Sequence, residues 1–301
     1  MKTKYIFALL GLGTLFTIFF VFDNIFSIWE EASYARFRPV TTGLHSNQIY
    51  RDVQVGAVSV DFYTAPLTQG TTIKRPLLVV VHGGFFQGGN KKNYAYLGGL
   101  GVRSGYVVAI VQLPRYPGIF TKPFYSNTAL KSRSLPAQAK QFAQFLQDVK
   151  SLENTYNFDT ARVHILTHGS GSLLLGEADV TAFKSVVLVS PLYSLIEHVT
   201  DIAPVQLRAI DGYINDAEAT RLSPLVWLKK TKEPVLLICA ERDLPYIKKA
   251  CQSADLTRAG STPIQRVIVK KPSHFELMFH LGSKIEEATD ALKKFLFDNA
   301  R

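Results

Sequence analysis

The chain has 301 residues, of which 47% are hydrophobic and 19% are charged, and its formal net charge is +10. That apolar content is enough for a sizeable core and excludes an intrinsically disordered chain. The lysines and arginines are scattered, with no basic helix or stripe of interleaved aromatics, so we expect no nucleic-acid partner. Attraction to an anionic membrane surface accounts better for this charge.

The first residues are typical of a membrane anchor. Tyr5–Phe22 is a run of 18 uncharged residues, preceded by Lys2 and Lys4. As a helix this run would be about 27 Å long, which is close to the thickness of a bilayer's hydrocarbon core. It is longer than the apolar part of a cleavable signal peptide, and no small-x-small site follows it directly. We therefore expect one uncleaved transmembrane helix.

Charges on either side of this run predict its orientation. Basic residues precede it, and Asp23, Glu30 and Glu31 follow it. Because cytoplasmic flanks carry the excess of basic residues, we expect a single-pass protein with a cytoplasmic N-terminus and a domain on the periplasmic or lumenal side. The predicted division is an N-terminus with its signal-anchor (1–30), a linker (31–47) and one folded domain (48–301).

Past the linker, predicted strands and helices alternate. A hairpin comes first, over residues 48–64, with Gly56 near its turn. Continuous apolar runs, typical of strands buried on both faces of a sheet, follow at Pro76–His82, Tyr106–Gln112, Val163–Thr167, Ser185–Ser190, Pro234–Cys239 and Arg266–Lys270. Core-facing helical stripes mark Ala137–Leu152 and Ile285–Phe297.

This alternation predicts an α/β fold. We expect a mostly parallel eight-stranded sheet with helices on both faces and with the hairpin as antiparallel strands at one edge. Residues 191–224 have no clear strand pattern, and we expect them to form a small lid over the carboxyl edge of the sheet.

The cysteines and histidines do not predict a metal site or a cofactor. Cys239 and Cys251 are too few for a disulfide framework, and we interpret them as buried thiols. His164 and His168 are four residues apart, but they belong to a strand and its turn, where four residues span roughly 13 Å. That separation is too large for the two side chains to share an ion.

The first buried strand leads into a glycine-rich sequence at the sheet edge where ligands bind in such folds. This sequence is His82-Gly83-Gly84-Phe85-Phe86. Glycines there allow backbone N–H groups to turn toward a ligand oxygen, as an oxyanion hole requires. We therefore predict Gly83 and Gly84 as donors, and His82, Phe85 and Phe86 as contacts to a bound ligand.

The second motif, Thr-His-Gly-Ser-Gly-Ser over residues 167–172, follows a buried strand and precedes helix-forming leucines. A nucleophile elbow needs small residues two before and two after its centre, because strand and helix approach closely there. Centring the bend on Gly169 puts a threonine and a glycine at these flanks, whereas centring it on Ser170 puts the bulky His168 there. The first register is favoured, and in it the Ser170 amide completes the oxyanion hole.

Together these motifs carry a family resemblance. Over residues 48–299 the chain resembles α/β-hydrolases of the carboxylesterase and hormone-sensitive-lipase type, in particular the kynurenine-formamidase and prenylcysteine-methylesterase branch. The stretches that carry it are residues 82–86, 112–117, 159–169, and Ser223-Pro224 with the strand and acid beyond. In that family the nucleophilic serine lies seven residues after the arginine that begins its strand. Counted from Arg162, that position is Gly169.

The resemblance also implies an acid and a base. Asp243 follows a strand where the family has its orienting carboxylate, with Glu241 as an alternative, and His274 follows the last strand where the family has its catalytic histidine. Such a carboxylate holds the imidazole in the useful tautomer, and the imidazole takes a proton from a hydroxyl.

Glycine at the nucleophile position leads to two functional hypotheses, beside a third in which the protein is a purely structural anchor. Glycine relieves the strain of this bend but removes the attacking oxygen. The first hypothesis is a pseudo-hydrolase that binds an acyl or carboxylate-like ligand, or presents a surface to a protein partner that the sequence does not identify. The second is an active carboxylic-ester or amide hydrolase that uses Ser170, Ser172 or water activated by His274.

Overall fold

The computed structural model describes residues 14, 17, 21, 25–37, 49–66, 73–118, 121–195, 215–229, 231–252 and 264–300. Apart from Thr14, Thr17 and Val21, the predicted transmembrane run Tyr5–Phe22 lies outside these residues. Among the residues that are described, no helix has the length and apolar character needed to cross a membrane.

An eight-stranded sheet forms the centre of the domain. Its strands are β1 (Ile49–Val55), β2 (Val58–Thr64), β3 (Arg75–Val81), β4 (Val107–Gln112), β5 (Phe158–His168), β6 (Ser185–Val189), β7 (Val235–Arg242) and β8 (Ile264–Ser273). The strand order is β1-β2-β4-β3-β5-β6-β7-β8. The β1–β2 and β2–β4 pairs are antiparallel and the other five pairs are parallel. The predicted mostly parallel sheet with a hairpin at one edge is confirmed.

Helices connect and cover the strands. They are α1 (Ile25–Arg36), α2 (Ala95–Arg103), α3 (Asn127–Lys131), α4 (Leu135–Asp148), α5 (Glu153–Tyr156), α6 (Asp216–Leu222), α7 (Pro224–Trp227), α8 (Pro245–Gln252), α9 (His274–His280) and α10 (Glu286–Asn299). Short 3-10 helices occupy Lys91–Tyr94, Lys122–Phe124, Val149–Leu152, Gly169–Glu177 and Val180–Ala182. The leucines after Gly169, which the sequence marks as helix-forming, therefore form a 3-10 helix.

Side chains alternate between two hydrophobic cores because successive residues of a strand point to opposite faces. In β3, Val79 and Val81 join a core with α4 and α8, whereas Leu78 and Val80 join a second core with α2, α9 and α10. Helices therefore cover both faces of the sheet, as predicted.

Helix α1 differs from the predicted division of the chain, because it crosses the boundary expected at residues 30 and 31. The Trp29 ring meets the Phe275 ring edge-on at a centroid distance of 4.8 Å, and Tyr34 meets Phe279 in the same way at 5.4 Å. These contacts attach α1 to α9, so the first part of the predicted linker is a packed helix.

The two cysteines also differ from the prediction. Cys239 in β7 and Cys251 in α8 form a disulfide, with a Cα–Cα distance of 6.3 Å. The interpretation as buried thiols is wrong because α8 runs back along β7 and brings its last turn beside the strand.

The predicted lid lies largely outside the described residues, which omit 196–214. Its described C-terminal part forms α6 and α7, which pack against the 3-10 helix Gly169–Glu177. The 3-10 helix and α6 lie close together, since a Cβ on Gly176 would overlap the backbone of Leu222. A lid over the sheet edge stays a prediction.

Candidate active site

A histidine and an aspartate meet at the carboxyl ends of β7 and β8. Asp243 follows β7 directly, His274 begins α9 after β8, and His274 Nδ1 lies 2.8 Å from Asp243 Oδ1. Asp243 also accepts the Leu244 N–H at 2.8 Å and the Ser190 hydroxyl. These bonds fix the carboxylate, which in turn holds the proton on Nδ1 and leaves Nε2 to accept another. The alternative acid, Glu241, is exposed.

The tight bend after β5 faces this imidazole. Gly169 has a left-handed backbone, with φ +52°, and a Cβ built on it would lie 3.3 Å from His274 Nε2. A Cβ on Gly171 would lie 2.6 Å from the His82 carbonyl oxygen, so the second flank requires glycine. The structure thus has the bend where the small flanks predict it, and its centre carries no side chain.

The two neighbouring serines are engaged elsewhere. Ser170 is 3% exposed, and its Oγ accepts the Phe85 N–H at 2.9 Å. Ser172 is fully buried, and its hydroxyl lies 2.9 Å from the Gly169 carbonyl oxygen and 2.8 Å from that of Leu192. Ser170 is therefore bonded to the glycine-rich loop, and Ser172 ties the bend to the segment after β6.

The glycine-rich loop has three consecutive residues with positive φ: Gly84 at +103°, Phe85 at +49° and Phe86 at +65°. Left-handed backbone costs a residue with a Cβ about 1–2 kcal/mol, so this loop holds strain of the kind found at functional sites. At Gly84 a side chain is excluded outright, because a Cβ would overlap the Gly89 backbone nitrogen.

The backbone N–H groups of this loop have different hydrogen-bond partners. The Gly83 N–H donates to the Tyr94 hydroxyl at 3.3 Å, so it has a partner within the fold, and its predicted role as an oxyanion donor stays a prediction. Gly84 and Ser170 line a small cavity beside His274, in keeping with their predicted place. The Phe85 amide, which now meets Ser170 Oγ, is a further candidate donor that the sequence did not reveal.

Among the predicted ligand contacts, only Phe85 lines the cavity beside His274, which has a volume of about 20 Å³. His82 and Phe86 line a separate cavity of about 10 Å³ behind the loop. Desolvation lowers the pKa of His82 to about 4, and its Nδ1 lies 2.6 Å from the Gly83 carbonyl oxygen. A neutral His82 therefore supports the loop from behind.

The site also includes Tyr94 and His168, which the sequence did not single out for it. The His168 ring stacks on His274 at a centroid distance of 4.5 Å, and its Nδ1 lies 2.8 Å from the Tyr94 hydroxyl oxygen. Burial, with the His274 imidazole nearby, lowers the pKa of His168 well below its usual value. The same Tyr94 oxygen accepts the Gly83 N–H. Tyr94 thus links the loop to the ring beneath His274.

A larger groove, of about 680 Å³, lies between α1 and the ends of β7 and β8, and Asp243 and His274 line it. Within the described part of the chain, no group of three or more His, Cys, Asp or Glu side chains could hold a metal ion.

No protein-family profile and no curated protein sequence matches this chain. Several solved structures do match it in fold. A bacterial heroin esterase superposes with a TM-score of 0.68 at 14% identity, covering 92% of each chain. Esterase B from Lactobacillus Rhamnosis (HN001) gives 0.66 at 16% identity, covering 99% of this chain and 95% of its own.

An acylaminoacyl peptidase in complex with Z-Gly-Gly-Phe-chloromethyl ketone gives a TM-score of 0.64 at 17% identity. That match covers 85% of this chain, which spans only 42% of the peptidase. These matches indicate the same architecture as the strand order of the sheet and the tight bend after β5. The chain is an α/β-hydrolase-fold protein whose structural neighbours include esterases and an acylaminoacyl peptidase.

Proposed function

We propose that this chain is a membrane-anchored pseudo-hydrolase: it binds an acyl or carboxylate-like ligand beside His274 and does not turn it over efficiently. One observation carries the proposal. A Cβ on residue 169 would lie 3.3 Å from His274 Nε2, and residue 169 is glycine. The base of a hydrolytic site is retained, and the position that it faces has no hydroxyl.

Serine-dependent hydrolysis requires a hydroxyl that gives its proton to the imidazole as it attacks the acyl carbon. Gly169 cannot supply one, and the Ser170 oxygen accepts a backbone N–H from Phe85. Removing one member of such a triad lowers the rate by on the order of 10⁴–10⁶. Ligand binding does not depend on the missing oxygen, since the walls of the cavity and of the adjoining groove remain.

An active carboxylic-ester or amide hydrolase is the second candidate. It is favoured by the His274–Asp243 pair, in which Asp243 is held by two further donors, Leu244 N–H and the Ser190 hydroxyl. A carboxylate fixed in this way is suited to proton transfer. In this candidate Ser170 turns away from Phe85, or His274 activates a water molecule.

The anchor and the compartment are part of the proposal. The uncharged run Tyr5–Phe22 and the charges around it support a single span with a cytoplasmic N-terminus. The Cys239–Cys251 disulfide supports a domain outside the cytoplasm, because disulfides form and persist mainly in oxidising compartments.

The test is labelling of the full-length chain, in detergent micelles, with a fluorophosphonate probe, together with hydrolysis of a short-chain chromogenic ester. We expect neither labelling nor hydrolysis above a His274→Ala control. Labelling that disappears in Ser170→Ala would show that Ser170 is a working nucleophile and would overturn the proposal in favour of the second candidate.

A further inference from the structure

Helix α1 is a wall of the site. Besides the contact between Trp29 and Phe275, it buries Glu30, which is 1% exposed and lies 3.5 Å from the Asn93 side-chain amide. Trp29 lines both the small cavity beside His274 and the larger groove. The helix therefore forms part of any path by which a ligand reaches His274.

The groove is large enough for a ligand, whereas the cavity is not. The cavity, at about 20 Å³, has room for little more than one water-sized group. The groove, at about 680 Å³, lies within the range of small-molecule sites, roughly 300–1,000 Å³. Both are lined by Trp29, His274 and Phe275. A ligand with its polar group near His274 would lay its remaining length along the groove.

The groove combines an aromatic wall with exposed cations. Arg36 on α1 and Arg242 at the end of β7 both line it, and both are exposed. Asp243 in this lining bonds to His274, and Glu276 accepts the Ser273 N–H at 3.2 Å. The arginines have weaker contacts: Arg242 donates to the Lys271 carbonyl oxygen at 3.4 Å, and the Arg36 guanidinium lies 5.1 Å from the Phe37 ring centroid. Guanidinium groups bind carboxylate and phosphate through paired hydrogen bonds. The groove is thus suited to an apolar chain with an anionic head group.

Its place along the chain sets the source of that ligand. Trp29 lies seven residues after Phe22, the last residue of the proposed span. Seven residues reach at most about 25 Å, so this end of α1 lies within that distance of the proposed span. Ile28 and Trp29 are 40% and 41% exposed at this end of α1. On the proposed anchor, the end of the groove at Trp29 is therefore the end nearest the membrane.

We propose that the groove between α1 and the ends of β7 and β8 binds the acyl chain of an anionic membrane lipid, with the head group at Arg36 and Arg242. This inference rests on the proposed anchor and on the proposed ligand-binding function. It names the ligand class as an anionic lipid taken from the bilayer that holds the chain.

Trp29 is the reporter for the test, since the only other tryptophan, Trp227, is 3% exposed. The full-length chain is reconstituted in phosphatidylcholine vesicles that contain, at equal bromine content, either phosphatidylglycerol or phosphatidylcholine with brominated acyl chains. We expect the anionic lipid to quench Trp29 emission at least about threefold more than the zwitterionic one. The Trp29→Phe variant measures the emission and quenching of Trp227 alone, which are subtracted. Equal quenching by the two lipids overturns the proposal.

Matched variants separate the groove from the nearby bilayer. Ala32→Phe fills the groove and should abolish the preference, whereas Ala35→Phe, on the same helix but not in the groove lining, should retain it. Arg36→Gln with Arg242→Gln should also abolish it, and Arg103→Gln, at the end of α2, should not. A preference that survives Ala32→Phe in folded protein overturns the proposal.

The outcome is separable from that of the proposed function. If quenching shows no preference while the wild type resists fluorophosphonate and Gly169→Ser is labelled, only the lipid assignment fails. If the wild type itself is labelled through Ser170, the pseudo-hydrolase proposal fails whatever the quenching shows.

Discussion

His274 Nε2 lies 3.3 Å from the position that a Cβ would occupy on Gly169. A serine at residue 169 would therefore have its hydroxyl within reach of the imidazole. The backbone at residue 169 has the left-handed conformation, φ +52°, expected for the strained centre of this bend. The Asp243–His274 pair therefore faces a bend whose central residue has no side chain.

Gly169→Ser should restore esterase activity. The new hydroxyl would lie against His274 Nε2, so we expect hydrolysis of a short-chain ester to rise by on the order of 10³-fold over the wild type. The positive φ should lower the free energy of unfolding by about 1–2 kcal/mol. Gly169→Ala adds the same strain without a hydroxyl and should stay inactive. A folded Gly169→Ser variant with no gain would mean that Asp243 and His274 are mispositioned for catalysis.

The location of this bend could be predicted because it depends on near neighbours. The bulk of His168 and the small flanks of Gly169 select one register, and the acid and base each follow a strand. Tyr94 could not be found in this way, because it meets His168 across 74 residues and belongs to no motif. The same holds for Trp29 against Phe275 and for the disulfide, since each depends on which distant segments pack together.

Ser170→Ala should increase the activity of the Gly169→Ser variant. The Phe85 N–H, which now donates to Ser170 Oγ at 2.9 Å, would become available to a developing oxyanion. One such donor is worth on the order of 10²–10³ in rate, and we expect a gain of at least about tenfold in kcat. In the absence of ligand, loss of the hydrogen bond from Phe85 N–H to Ser170 Oγ should lower the free energy of unfolding by about 1–3 kcal/mol. A fall in kcat would instead assign Ser170 a direct part in the reaction.

Glu30 should make the docking of α1 sensitive to pH. Burial raises the pKa of Glu30 to about 7 from 4.5, with Glu31 and Arg115 as further influences of opposite sign. Between these values the folded protein binds more protons at this site than the unfolded chain, so stability should fall as pH rises from about 4.5 to 7.

The difference between the wild type and Glu30→Gln isolates this contribution, which approaches about 3 kcal/mol at neutral pH. The comparison is needed because desolvation lowers the pKa of His164 to about 4, which gives the opposite slope in both proteins. Urea unfolding at several pH values is the measurement. Parallel stability curves for the two proteins would mean that Glu30 titrates normally.

Loss of the disulfide should destabilise the end of β7 and with it the Asp243 loop. Cys239 and Cys251 are 12 residues apart, and closing a loop of this length stabilises a fold by about 3 kcal/mol. Cys239→Ala with Cys251→Ala should lower Tm by several degrees. Alkylation of the unfolded chain should modify no cysteine before reduction and both after it. If both thiols react without reductant in protein prepared from its membrane, the disulfide is absent there, and its support for an oxidising compartment is lost.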